Sequence, residues 1–122
     1  FEPNGRAAAP GRPAGGAARR GDRFVLLDLH QISFFRVENG LLRAKAGTES
    51  YWTNYQISEL ESLLPSPPFY RVHRGAIVNL WRVKEIIPFL RSTYLLVMND
   101  QNGTRIQVSE RRSKKLRELF RI

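Results

Sequence analysis

From residue 24 to residue 108 the chain is a succession of short β-prone runs, each closed by a turn signal after three to seven residues, and this rhythm is its strongest constraint on fold. The runs fall at residues 24–27, 32–37, 41–44, 49–54, 69–73, 76–78, 83–89, 94–98 and 104–108. Glu38-Asn39-Gly40 carries the asparagine-glycine pair that suits a two-residue hairpin, Ala46-Gly47-Thr48 turns the chain again, and Asn99-Asp100-Gln101-Asn102-Gly103 joins the last two runs. No apolar run reaches the roughly 18 residues that a membrane-spanning helix needs. The longest, at residues 76–80 and 94–98, are strand-length.

Two segments break the rhythm. Ser58 is a candidate N-cap for a short helix with Leu60, Leu63 and Leu64 at helical spacing, stopped by Pro65-Ser66-Pro67-Pro68. Residues 109–122 form the one clear amphipathic helix, with Ser109 as N-cap and Leu116, Leu119 and Phe120 as its apolar stripe. Six cations (Arg111, Arg112, Lys114, Lys115, Arg117 and Arg121) face only Glu110 and Glu118 on it. Arg111 and Arg112 fall in the first turn, where the helix dipole disfavours positive charge, and an unfavourable local placement points to function. The expected architecture is mainly β, with one short internal helix and a C-terminal basic amphipathic helix.

Residues 1–20 hold six Ala, four Gly and three Pro, too little apolar side chain to offset the entropy of ordering them. Residues 1–22 are therefore expected to be a flexible linker or tail, and residues 23–122 one folded domain, which is also what 122 residues can support. The first residue is Phe1 and no basic-then-apolar leader follows, which reads as a fragment of something longer. The formal charge is +9, and five arginines against Glu2 and Asp22 put only a minor part of it before residue 24. Such a basic domain suggests a polyanionic partner. Without cysteine there is neither a disulfide framework nor a thiolate metal site, which leaves the redox compartment open and is compatible with a reducing cytosol.

The segments FYRVHRGAIVNLWRVKEI and NGTRIQVSERRSKKLREL carry a family pattern. The first has an aromatic (Phe69 or Tyr70), Arg71, His73, Arg74, the apolar pair Ile77 and Val78, then Asn79; the second has the Asn102-Gly103 turn, a strand through Ile106 to Val108, Ser109 and Arg111. In these residues the chain resembles LytTR-type DNA-binding domains over roughly residues 23–122. The resemblance implies an elongated stack of small antiparallel β-sheets that presents loops to successive DNA major grooves. It also implies the cytoplasmic output domain of a bacterial response regulator, a transcription factor of a two-component phosphorelay. A receiver domain would lie upstream; Phe1-Glu2-Pro3 resembles the residues trailing one.

By position in the family pattern, base contacts are implied for Arg74, for Arg111 and for the neighbourhood of Asn39. Arginine suits the task, because its guanidinium bonds bidentately to guanine O6 and N7. Arg71, His73, Ser109, Arg112, Lys114 and Lys115 are the implied phosphate contacts, which fix register without reading sequence. The resemblance further implies double-stranded DNA in paired direct repeats as partner, an isolated domain that is monomeric, dimerisation through the upstream domain, and no cofactor.

Plainer readings stand beside these. The basic helix face also suits solvent, His73 a half-buried histidine bonded to backbone at a turn, and Asn79 a residue bonding backbone in the next turn. Trp52 and Trp81 read as packing rather than base stacking, and Phe34, Phe35, Phe69, Tyr70 and Phe89 as core. Two histidines, His30 and His73, with no HExxH, no phosphate-binding glycine loop and no carboxylate cluster give no basis for an enzyme or a metal site. A β-rich RNA or single-strand binder and a basic docking module for proteins or membrane surfaces remain the alternatives.

Overall fold

The computed structural model describes residues 17–122, so most of the expected linker lies outside the described residues. Ten strands and two helices follow: β1 (Ala17–Arg20), β2 (Arg23–Leu26), β3 (Ile32–Glu38), β4 (Leu41–Ala46), β5 (Glu49–Thr53), α1 (Ile57–Leu63), β6 (Phe69–His73), β7 (Ala76–Asn79), β8 (Val83–Phe89), β9 (Thr93–Met98), β10 (Arg105–Val108) and α2 (Glu110–Phe120). All pairings are antiparallel. Seven strands make one sheet in the order β2-β1-β5-β4-β3-β7-β6, and three make a second in the order β10-β9-β8. The mainly antiparallel β expectation therefore holds.

The centre of the large sheet is buried on both faces, which explains its uninterrupted apolar runs. Ile32, Ser33, Phe34 and Phe35 of β3 and all of β7 are buried. Alternation then sends neighbours to opposite layers. Phe35, Phe69 and Ile77 pack with Leu42, Leu60 and Leu64 beneath α1. Phe34, Tyr70 and Val78 pack with Leu96, Ile106 and Leu116 beneath the small sheet and α2. Phe35 and Phe69 meet as a tilted ring pair with centroids 6.1 Å apart.

Several expectations are corrected in detail. Within the segment read as tail, Ala17–Arg20 form β1, hairpinned to β2 and laid along β5 with Ala18 opposite Thr53 and Arg19 opposite Trp52. Backbone pairing needs no large side chain, and the small Ala18 is fully covered. Helix α1 starts two residues earlier than a Ser58 cap allows: Gln56 is its N-cap, and the Glu59 carboxylate accepts from the Gln56 N–H at 3.4 Å. On α2 only Ser113 and Leu116 are buried, while Leu119 and Phe120 lie largely open. Phe89, placed in the core from sequence, sits at a hairpin end and is 42% exposed; Trp81 is 69% exposed rather than packed.

Candidate nucleic-acid interface

The strand ladder brings distant turns to one end of the molecule. In the β3–β4 turn, Asn39 and Gly40 both take positive φ (54° and 78°), the backbone of a twisted two-residue hairpin, and Glu38 pairs with Leu41 across it. Glu38 is fixed by Arg36 at 3.4 Å and Arg43 at 3.3 Å, and Arg43 lies over the Trp52 ring at 4.1 Å. Asn39 thus stands exposed on a braced turn.

Beside it lies the β6–β7 turn. Arg36 pairs with Ala76, and the Val37 N–H donates to the Gly75 carbonyl at 2.9 Å. Within this turn the His73 Nδ1 accepts from the Gly75 N–H at 3.0 Å. A Cβ on Gly75 would approach His73 Cε1 to 3.3 Å, so the close approach favours glycine. Burial, reinforced by the positive charges of Arg36, Arg71 and Arg74, holds the His73 pKa below the ordinary 6.5 and keeps the ring neutral, as its acceptor role requires. The backbone-bonding reading of His73 describes this geometry.

Arg71 braces the same turn. Its guanidinium donates to the Arg74 carbonyl at 2.6 Å, to the Glu61 carboxylate at 2.9 Å and to Ser58 Oγ at 3.4 Å. Its side chain is only 14% exposed. Arg74 itself is exposed, and its side chain has no hydrogen bond or ion pair among the described residues.

The start of α2 comes next in the row, because the Ser109 N–H donates to the Val72 carbonyl at 2.8 Å. Ser109 caps the helix as expected, its Oγ accepting from the Arg112 N–H at 3.2 Å. The Tyr70 hydroxyl donates to the Arg112 carbonyl at 2.8 Å and pins the first turn. The two first-turn cations then part company. Arg112 lies 3.9 Å from the Glu61 carboxylate, which offsets its poor placement in the helix dipole, whereas Arg111 is exposed without an acidic partner among the described residues.

Lys114 is exposed on α2. Lys115 borders a cleft of about 650 Å³ between the α1–β6 connection and α2, shared with Pro67, Trp81, Leu119 and Phe120. Of the nine residues singled out from sequence, Asn39, Arg74 and Arg111 thus emerge on consecutive turns at one end; Arg71, His73, Ser109 and Arg112 are engaged in holding those turns. The carboxylate of Glu61, which ties Arg71 to Arg112, escaped the sequence reading. Its only signal was an acid on α1 facing a basic strand. Asn79, 2% exposed, bonds the Trp81 N–H through Oδ1 at 2.9 Å and the Ile32 carbonyl through Nδ2 at 3.0 Å, joining the turn after β7 to β3.

Comparison with known proteins decides the family. The model of the LytTr DNA-binding domain matches residues 22–121. The chain belongs to the LytTr DNA-binding domain family. The sensory transduction protein LytT of Bacillus subtilis (strain 168) is 36% identical over 102 residues, covering 84% of this chain and 42% of that protein. The heme-containing CO-sensing transcriptional regulator RcoM 1 of Paraburkholderia xenovorans (strain LB400) is 32% identical over 123 residues, 92% of this chain and 46% of that protein. The chain thus spans less than half the length of these curated relatives. Among solved structures, the LytTr DNA-binding domain of a putative methyl-accepting/DNA response regulator from Bacillus cereus superposes with a TM-score of 0.78 at 29% identity, covering 85% of this chain and 94% of that one.

Among the described residues no group of three or more His, Cys, Asp or Glu is placed to hold a metal ion, and no helix is long and apolar enough to cross a membrane.

Proposed function

We propose that this LytTr domain, taken as residues 23–122, reads double-stranded DNA in a sequence-specific way as the cytoplasmic output domain of a bacterial transcriptional regulator working without a cofactor. The observation that carries the reading is the row of turns at one end of the strands, which offers Asn39, Arg74 and Arg111 with their side chains free of internal partners. Arg74 and Arg111 are the base readers, each contributing about 1 to 3 kcal/mol of discrimination when bidentate to guanine, and Asn39 is the third base contact. Lys114 and Lys115 supply phosphate contacts. Arg71, His73, Ser109 and Arg112 would add flanking phosphate contacts, but their bonds within the domain make them chiefly the supports of Arg74 and Arg111.

Two copies would sit side by side on paired direct repeats, each domain monomeric alone, with an upstream receiver of a two-component system supplying dimerisation. Affinity would come largely from phosphate neutralisation, log K falling by about 0.9 per contacted phosphate against log salt.

Selection from a randomised duplex pool tests this reading. The wild-type chain should enrich a short motif, and Arg111→Ala should lose preference at one or two positions of it. A featureless pool from the wild-type chain would refute sequence-specific reading, and stronger retention of single strands or RNA would favour the single-strand alternative.

A further inference from the structure

The row of turns has a fourth member. Val108 at the end of β10 pairs with Tyr94 at the start of β9, and Phe89 at the end of β8 pairs with Thr93, so the β8–β9 turn stands beside the start of α2. Residues 90–92 of this turn pack against α2. Two features set it apart. Arg91 and Ser92 both occupy the left-handed region, with φ of 56° and 61°, where glycine or asparagine is the usual choice. The tip is also open: Leu90 is 69% exposed, and Arg91 is an exposed cation whose side chain has no partner among the described residues. The turn is nonetheless held in shape, since Thr93 Oγ1 donates to the Leu90 carbonyl. A strained backbone that keeps an unpaired arginine on a turn packed against α2, the helix that carries Arg111, is poorly explained by folding alone.

We infer that the β8–β9 turn is a fourth DNA-contacting element, with the Arg91 guanidinium binding a backbone phosphate next to the bases that Arg111 faces. The inference rests on the duplex-reading function proposed above. Arg91 is a phosphate anchor that sets how the α2 start seats in the groove, so its contribution is the same for every sequence.

Arg91→Gly is the apt test, because glycine accepts a φ of 56° without strain and the variant keeps or gains thermal stability while losing the charge. Binding to the duplex enriched by the wild-type chain, and to a scrambled duplex, is measured by fluorescence anisotropy across a salt series, with Arg91→Lys and Arg111→Ala alongside. Arg91→Gly should weaken both duplexes roughly fivefold and lower the slope of log K against log salt by about 0.9; Arg91→Lys should keep the slope. An unchanged affinity and slope in Arg91→Gly, with wild-type binding intact and Arg111→Ala impaired on the enriched duplex, overturns this inference alone. A loss confined to the enriched duplex overturns the phosphate assignment. A wild-type chain without salt-dependent duplex binding brings down the functional reading and this inference together.

Discussion

The Arg71 guanidinium donates to the backbone carbonyl of Arg74 at 2.6 Å. One arginine, held by Glu61 and Ser58, thereby sets the path of the turn from which a second arginine projects. This arrangement separates two kinds of basic residue that look alike in sequence: those that hold a turn and those that the turn displays.

Arg71→Lys should keep the charge and lose the fork. A lysine ammonium cannot bond the Arg74 carbonyl, Glu61 and Ser58 together with a planar guanidinium's geometry. The expected cost is about 1 kcal/mol of stability, held down by solvent screening at the partly exposed Glu61 carboxylate. Denaturant unfolding measures that cost, and duplex selection should show blurred preference at the position proposed for Arg74. Unblurred preference would mean that the turn keeps its shape without Arg71.

His73 makes the turn pH-sensitive. Its folded pKa is below 6.5, so between that value and 6.5 the unfolded chain binds more protons and stability rises with pH. The contribution is whole above pH 6.5 and is lost as pH falls through the folded value. Imidazole resonances followed by NMR should titrate with a midpoint below 6.5, and duplex phosphates near the ring should raise that midpoint. A free-domain midpoint at or above 6.5 would contradict the buried, cation-flanked setting.

Arg74→Ala and Lys115→Ala should behave differently. The first should lose discrimination at one base position, by about 1 to 3 kcal/mol, with little change in thermal stability because the exposed side chain has no internal partner. The second should weaken all duplexes nearly alike. Competition between motif and scrambled duplexes gives both readings, and identical behaviour of the two variants would erase the division between base reading and phosphate contact.

Asn79→Ala should be costly for folding rather than for recognition. The side chain is 2% exposed and bonds both the Ile32 carbonyl and the Trp81 N–H, so truncation strands two backbone groups at about 2 to 4 kcal/mol in total. Thermal unfolding should show the loss, and a variant as stable as the wild type would mean that water replaces both bonds.

Most strands were legible because each combines a short apolar run with an explicit turn signal; β6 and β8 have the limits that the sequence suggested, and Ser109 caps α2 as read. Strand β1 was hidden because its ladder is built from backbone bonds that Ala and Arg make as readily as β-prone residues, and its composition is that of a tail. The α2 stripe was only partly legible, since helical spacing identifies the apolar face but not how much of it a neighbour covers. At the site, residue type pointed to the arginines. It did not separate Arg112, beside Glu61, from the free Arg111, because that difference depends on a carboxylate far away in sequence.

Two of the proposed base readers, Asn39 and Arg74, stand in turns at strand ends of the large sheet, where neighbouring strands lie about 4.8 Å apart. Arg111 stands in the first turn of the helix that follows β10. The separation of Asn39 from Arg74 is therefore set by the strand ladder, and the start of α2 is tied to β6 by the bond from the Ser109 N–H to the Val72 carbonyl. On the proposed reading, substituting Asn39, Arg74 or Arg111 would alter which letter is preferred at a given place in an operator, while the places themselves would stay where the backbone hydrogen bonds put them. Related domains of this architecture can diversify their vocabulary freely while being held to one common spacing of words.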